Sequence, residues 1–184
     1  MRLFSPIPWS VALVLVVCMA PALANPYANL QDREIKALST EEQEGLLAGQ
    51  GLGMALPAEL HGYPGPLHVL EVVDQLDLSA EQRTQTERLF EAMREQARAL
   101  GQQIVELERE LDAHFASREI TADQIEALTV EIGKLRGRLR HVHLSSHLEM
   151  DELLSGAQKE AYQRARGYHH EPSRSHGHGH HHGH

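Results

Sequence analysis

Residues 90–111 read FEAMREQARALGQQIVELEREL, and residues 125–142 read IEALTVEIGKLRGRLRHV. In the first stretch Phe90, Met93, Ala97, Leu100, Ile104, Leu107 and Leu111 recur at alternating steps of three and four. Ile125, Leu128, Ile132, Leu135, Leu139 and Val142 do the same in the second. That spacing puts one apolar seam on each of two helices. Only Ser117-Arg118-Glu119-Ile120 separates them, and so short a turn makes them lie antiparallel, seam to seam. Ser79-Ala80-Glu81-Gln82 and Thr121-Ala122-Asp123-Gln124 are capping boxes that start them. From Ser79 to Phe115 there is no Pro, and Gly101 is the only Gly, so the first helix should run about 50–55 Å. Past Val142 the seam fades. Ser146 and Glu149 take its next positions while Leu144 and Leu148 form an apolar pair, so the second helix is expected to re-aim towards other partners.

Outward from the hairpin, Ser155-Gly156-Ala157-Gln158 caps a last helix ending near Gly167. Leu67 to Leu76 reads as a short helix opened by Pro66 and stopped at Asp77-Leu78. Gly49, Gly51, Gly53, Gly62 and Gly65, with Pro57, Pro64 and Pro66, mark residues 49–66 as a loop draped over the helices. Residues 25–48 read as short helical pieces, with a capping box at Ser39-Thr40-Glu41-Glu42. No strand-like alternation of useful length occurs. The expected fold is all-α: an elongated antiparallel hairpin with shorter flanking helices. So thin a body buries little core for its length, which favours a homodimer. Gly133 and Gly137, four apart on one face, either admit a second backbone or merely weaken the helix.

The chain has 184 residues and a net charge of −9. An acidic chain is a poor binder of phosphate backbones, so nucleic acid is not an expected partner. Cys18 is the only cysteine, which excludes an intrachain disulfide and a cysteine-based zinc site. Arg2, the apolar run Val11–Met19 and the small-residue site Ala22-Leu23-Ala24 form the pattern of a secretory signal peptide. Residues 1–24 are therefore expected to be removed on export, taking Trp9 and Cys18 and leaving no stable membrane insertion. Residues 25–65 then form an N-terminal region of short helices and loop, 66–168 the helical domain, and 169–184 a disordered tail.

Two segments carry a resemblance. Leu78-Ser79-Ala80-Glu81-Gln82 and Leu154-Ser155-Gly156-Ala157-Gln158 both fit a Leu-Thr-x-x-Gln repeat, with Ser for Thr. Placed on either side of a helical hairpin in an exported chain, they resemble the Spy/CpxP family of periplasmic proteins. That group includes zinc-resistance-associated and CnrX-type heavy-metal proteins. The resemblance covers roughly residues 66–168. It implies a small helical periplasmic protein, often dimeric, acting as an ATP-independent chaperone on unfolded periplasmic proteins, or as an envelope-stress or heavy-metal factor. A metal sensor or buffer without chaperone activity, signalling to a membrane partner, is the other function it implies. Chaperone members carry a basic concave face. Here Lys134, Arg136, Arg138 and Arg140 are a local basic run, which reads equally as a solvated helix face.

Metal chemistry is expected at two places. The tail carries His169, His170, His176, His178, His180, His181, His182 and His184, spaced by glycine so that several imidazoles can close on one Zn²⁺, Cu²⁺ or Ni²⁺ ion. A purification tag is the alternative, though the interleaved glycines are unlike an unbroken run. In the body, His143 and His147 project from one helix face, with Met150 on the next turn. CnrX-type sensors are similar in using His and Met here together with His on the helix before the first repeat, where this chain has His68. Its partner position is Val72, and Ser146 stands four before Met150, so His68 or Glu71 would have to close on the same ion. Otherwise His141, His143 and His147 are exposed polar residues. No nucleophile elbow, P-loop, dinucleotide fingerprint or His-Glu-x-x-His occurs, and the chain reads as a non-enzyme.

Overall fold

The computed structural model describes residues 25–168. The signal-peptide reading of 1–24 and all eight tail histidines fall outside the described residues. The described chain divides at Asp32. Residues 25–32 carry one 3₁₀ turn, Ala28–Leu30, with the Asn25 side chain accepting the Tyr27 amide at 3.0 Å.

From Arg33 onward the unit is helical, and among the described residues there is no strand. Its elements are α1 (Thr40–Ala48), α2 (Leu56–Leu60), α3 (Pro66–Glu71), α4 (Ala80–Ser117), α5 (Ala122–Leu153) and α6 (Gly156–Ala165). The long α4 and α5 form the antiparallel hairpin, turned where Arg118 adopts a left-handed conformation (φ 61°). All four capping boxes form with both halves in place, at Ser39/Glu42, Ser79/Gln82, Thr121/Gln124 and Ser155/Gln158. Each satisfies two amides that a helix start leaves without partners.

The seam residues Met93, Ala97, Leu100 and Ile104 of α4 meet Leu135 and Leu139 of α5 in one buried cluster. Ile35, Leu38 and Leu46 from the N-terminal region complete that cluster, so this region shares the hairpin's core. α1 crosses α4 at Gly101, where a Cβ would overlap the Leu46 carbonyl. The glycine is what lets the two backbones approach so closely. A second cluster joins Val69, Leu76, Met150, Leu154 and Tyr162 at the end where the chain enters α4 and leaves α5.

Three expectations are corrected. The loop over 49–66 contains the helix α2, which has Pro57 in its first turn, where a missing N–H is no loss. The helix opened by Pro66 stops at Glu71, and Val73–Gln75 is a separate 3₁₀ turn. Past Val142 the apolar seam of α5 does give way and the helix meets new partners. It does so through buried His143, Ser146, His147 and Met150, not through an apolar Leu144/Leu148 pair, since Leu148 is exposed. Polar side chains occupy the buried face because the 49–65 segment, itself rich in backbone polar groups, lies over them.

Candidate functional site

A cleft of about 590 Å³ lies between the 48–68 segment and the hairpin. α5 supplies His143, Ser146 and His147 to its wall, α4 supplies Phe90, Met93 and Arg94, and α3 supplies His68. The reading of His143 and His147 as exposed is overturned, since they are only 5 % and 7 % exposed. The glycines of the segment set how close it comes. A Cβ on Gly65 would stand 2.8 Å from His147 Cε1, and one on Gly51 3.6 Å from His143 Nδ1.

The two imidazoles are held differently. His147 Nδ1 lies 2.8 Å from the Tyr63 carbonyl oxygen. In the neutral ring Nδ1–H donates there, which leaves a lone pair on Nε2. His143 has no such partner, and its Nε2 is buried without a hydrogen bond. Burial pushes the His143 pKa down, and the nearby His147 lowers it further. Its imidazole is therefore held in the neutral form that can offer a lone pair.

Below the histidines sits a buried carboxylate that no sequence pattern flags. Glu59 of α2 is 5 % exposed. Its Oε1 accepts from the Tyr162 hydroxyl and, at 3.0 Å, from Tyr168, with Arg166 Nε 3.5 Å away. Its Oε2 lies 3.9 Å from His147 Nδ1 and has no hydrogen-bond partner. Burial raises the Tyr162 pKa far above that of a free phenol, and the bond to Glu59 raises it further. Tyr168 moves the same way for the same two reasons. This carboxylate ties α2 to α6 and to the residues that lead into the tail. A lone Glu between Pro57 and Gly62 gives no periodic signal of such a role.

The expected body ligands are only partly brought together. His68, His143 and His147 border one cleft, but His68 Nδ1 is 2.9 Å from Glu71 Oε2. Met150 does not join them, being fully buried in the second core cluster. Among the described residues no three His, Cys, Asp or Glu side chains converge as a metal-binding group.

The two repeats meet directly, at the base of the hairpin. Gln82 Nε2 donates to Gln158 Oε1 at 3.0 Å and to the Leu153 carbonyl at 3.0 Å. Gln158 Nε2 donates to Gln82 Oε1 at 2.9 Å and to the Asp77 carbonyl at 3.3 Å. Each carbonyl belongs to the residue just before the other repeat, so the exchange is two-fold symmetric. Each Oε1 also accepts its own N-cap amide, from Ser79 at 3.1 Å and from Ser155 at 2.9 Å. Leu154 is buried beside this lock, and Leu78 packs half-buried against the same cluster.

No family model, curated protein or solved structure matches the chain. Among the described residues no helix is long and apolar enough to cross a membrane.

Proposed function

We propose that the chain is an exported, metal-linked stress protein of the Spy/CpxP kind, working in the periplasm as an ATP-independent chaperone or heavy-metal-resistance factor. The observation that carries this reading is the symmetric exchange between Gln82 and Gln158. It gives both Leu-Ser-x-x-Gln repeats one shared job at the base of a helical hairpin, which a chance pair of N-caps would not have. Exposed apolar side chains, among them Leu47, Leu52, Leu56, Leu60 and Leu67, offer a surface for unfolded clients. Phe115 and Val130 are exposed near the far turn, and Gly133 and Gly137 have open space beside them. A second copy in a homodimer would cover that face. Divalent Zn, Cu or Ni would bind chiefly through the tail histidines.

Aggregation of an unfolding client, followed with and without Zn²⁺, tests the chaperone half, and suppression is the expected result. Calorimetric titration of the full chain, beside one ending at Tyr168, tests the metal half with Zn²⁺, Cu²⁺ and Ni²⁺. More ions per full chain are expected, and equal stoichiometry removes the tail from the mechanism.

A sensor or buffer without chaperone action is favoured by a different observation. His143 and His147 face the cleft as buried imidazoles, and the chain's net charge of −9 does not suit a basic client face. Metal binding with no effect on client aggregation selects this second reading.

A further inference from the structure

Two heptads run along α5. The seam that meets α4 passes through Ile125, Leu128, Ile132, Leu135, Leu139 and Val142. A second set, Glu126, Val130, Gly133, Gly137, Arg140 and Leu144, keeps the same steps of four and three on the side turned away from α4. Its members are exposed except for the half-buried Leu144, and Leu148, one turn further on, is exposed again. The outward face of a helix ordinarily holds solvated charge. Here four of the six positions are Val, Gly, Gly and Leu, and the two glycines have nothing within 4 Å of an added Cβ. So bare a stripe lets another backbone come close.

The charges that bound the stripe fix what can lie on it. Glu126 and Arg140 are about 21 Å apart along one helix, so they cannot meet within a chain. Among the described residues neither has an ion-pair partner, whereas Lys134 and Arg136 between them are paired to Glu131 and Glu108 of their own chain. Gly133 stands midway between the two charges. A two-fold axis at Gly133 therefore brings Glu126 of each copy onto Arg140 of the other. The same register lays Val130 over the partner's Gly137 and sets Leu144 beside the partner's Ala122. A parallel pair would instead set Glu126 on Glu126 and Arg140 on Arg140. Sliding an antiparallel copy by one heptad breaks both the charge pairing and the valine–glycine pairing.

We propose that α5 pairs with α5 of a second copy, antiparallel, along this outward stripe. The helices are closest at Gly133, and Glu126 forms an ion pair with the partner's Arg140 at each end. The inference rests on the homodimer reading and supplies its face, register and charge pairs. From Ala122 to Leu144 the contact runs about 33 Å. An interface of this size is small, and a dissociation constant on the order of micromolar is expected.

Sedimentation equilibrium of the chain as exported, in low salt with a chelator present, reads the association. Arg140→Glu sets like charges together at both ends and should weaken it about tenfold or more. Gly133→Gln puts a side chain at the closest approach and should weaken it as strongly. Both positions are exposed in the monomer, so circular dichroism and urea midpoints should show both variants folded. Adding Glu126→Arg to Arg140→Glu reverses both ends and should restore the dissociation constant to within about threefold, a rescue that no contact inside one chain can produce. A dimer indifferent to Arg140→Glu and Gly133→Gln, or one that the double reversal fails to rescue, overturns the α5 pairing and leaves a homodimer through another face. A monomer at every concentration overturns both. Neither outcome bears on the chaperone and metal tests, which stand or fall separately.

Discussion

At the level of single residues, the glycines of the two long helices divide sharply. Gly101 sits where α1 crosses α4, and any Cβ there meets the Leu46 backbone, which cannot swing aside as a side chain can. Gly101→Ala should therefore cost about 3 kcal/mol or more, the upper end of overpacking penalties. Gly133 and Gly137 have nothing within 4 Å of an added Cβ. In the monomer, Gly133→Ala and Gly137→Ala should each stabilise by about 0.5–1 kcal/mol, through helix propensity alone. Urea denaturation of the three variants checks both signs, and a tolerated Gly101→Ala would contradict the α1–α4 crossing. His143 makes a second residue-level prediction. Burial holds its folded pKa below the ordinary value of 6.5. As pH falls, the unfolded chain takes up this proton before the folded chain does. The stabilising contribution is thus complete above pH 6.5 and is lost as pH drops from there through the folded pKa. Denaturation midpoints measured at pH 7.5 and pH 5, with chelator present, should fall less in His143→Phe than in the unaltered chain.

Between elements, the decisive contact is the Gln82–Gln158 exchange, which joins the N-terminus of α4 to that of α6. Gln82→Ala and Gln158→Ala each leave the other amide short of partners, so each should cost about 1–2 kcal/mol. The double variant should cost less than the sum of the singles by about 0.5–1.5 kcal/mol, because the second substitution removes a group the first had already stranded. Strict additivity would mean that the two amides do not interact in solution. Both repeats were legible in the sequence, and so was each N-cap, because a Ser with Gln three positions later is a local pattern. Their exchange was not legible, since it depends on how far the hairpin carries the chain before returning. The expectation that Leu144 and Leu148 carry the α5 contact past Val142 fails for a related reason. Apolar periodicity locates a buried face only where the covering element is apolar. His143, Ser146 and His147 are instead covered by a segment of glycines and carbonyls that gives no periodic signal. Glu59 was out of reach altogether, because its partners lie about a hundred residues further along the chain, at Tyr162 and Tyr168.

Across the whole described unit from Arg33, burial is uneven along the hairpin. The buried residues of α4 end at Glu108 and those of α5 begin at Ile132. Between Arg109 and Glu131 no residue is buried, although Leu111, Ile125 and Leu128 keep the seam in register. Glu34 and Lys36 still reach Arg109 and Asp112, but past Asp112 half-buried apolar side chains across a two-helix contact give little stability, because each helix has only one neighbour to exclude water. The far end should therefore open locally without unfolding the rest. Hydrogen exchange should show residues 109–131 exchanging orders of magnitude faster than Ala97–Val105 and Leu135–Leu139. Protein concentration then becomes the informative variable. Phe115 and Val130 are 54 % and 49 % exposed at this end, the apolar surface a second copy would cover. If the proposed homodimer forms there, raising the concentration through its dissociation constant slows exchange in 109–131 and leaves Ala97–Val105 unchanged. Exchange at the far end that is fast and independent of concentration would exclude it as the dimer interface, and any self-association would then have to use another face.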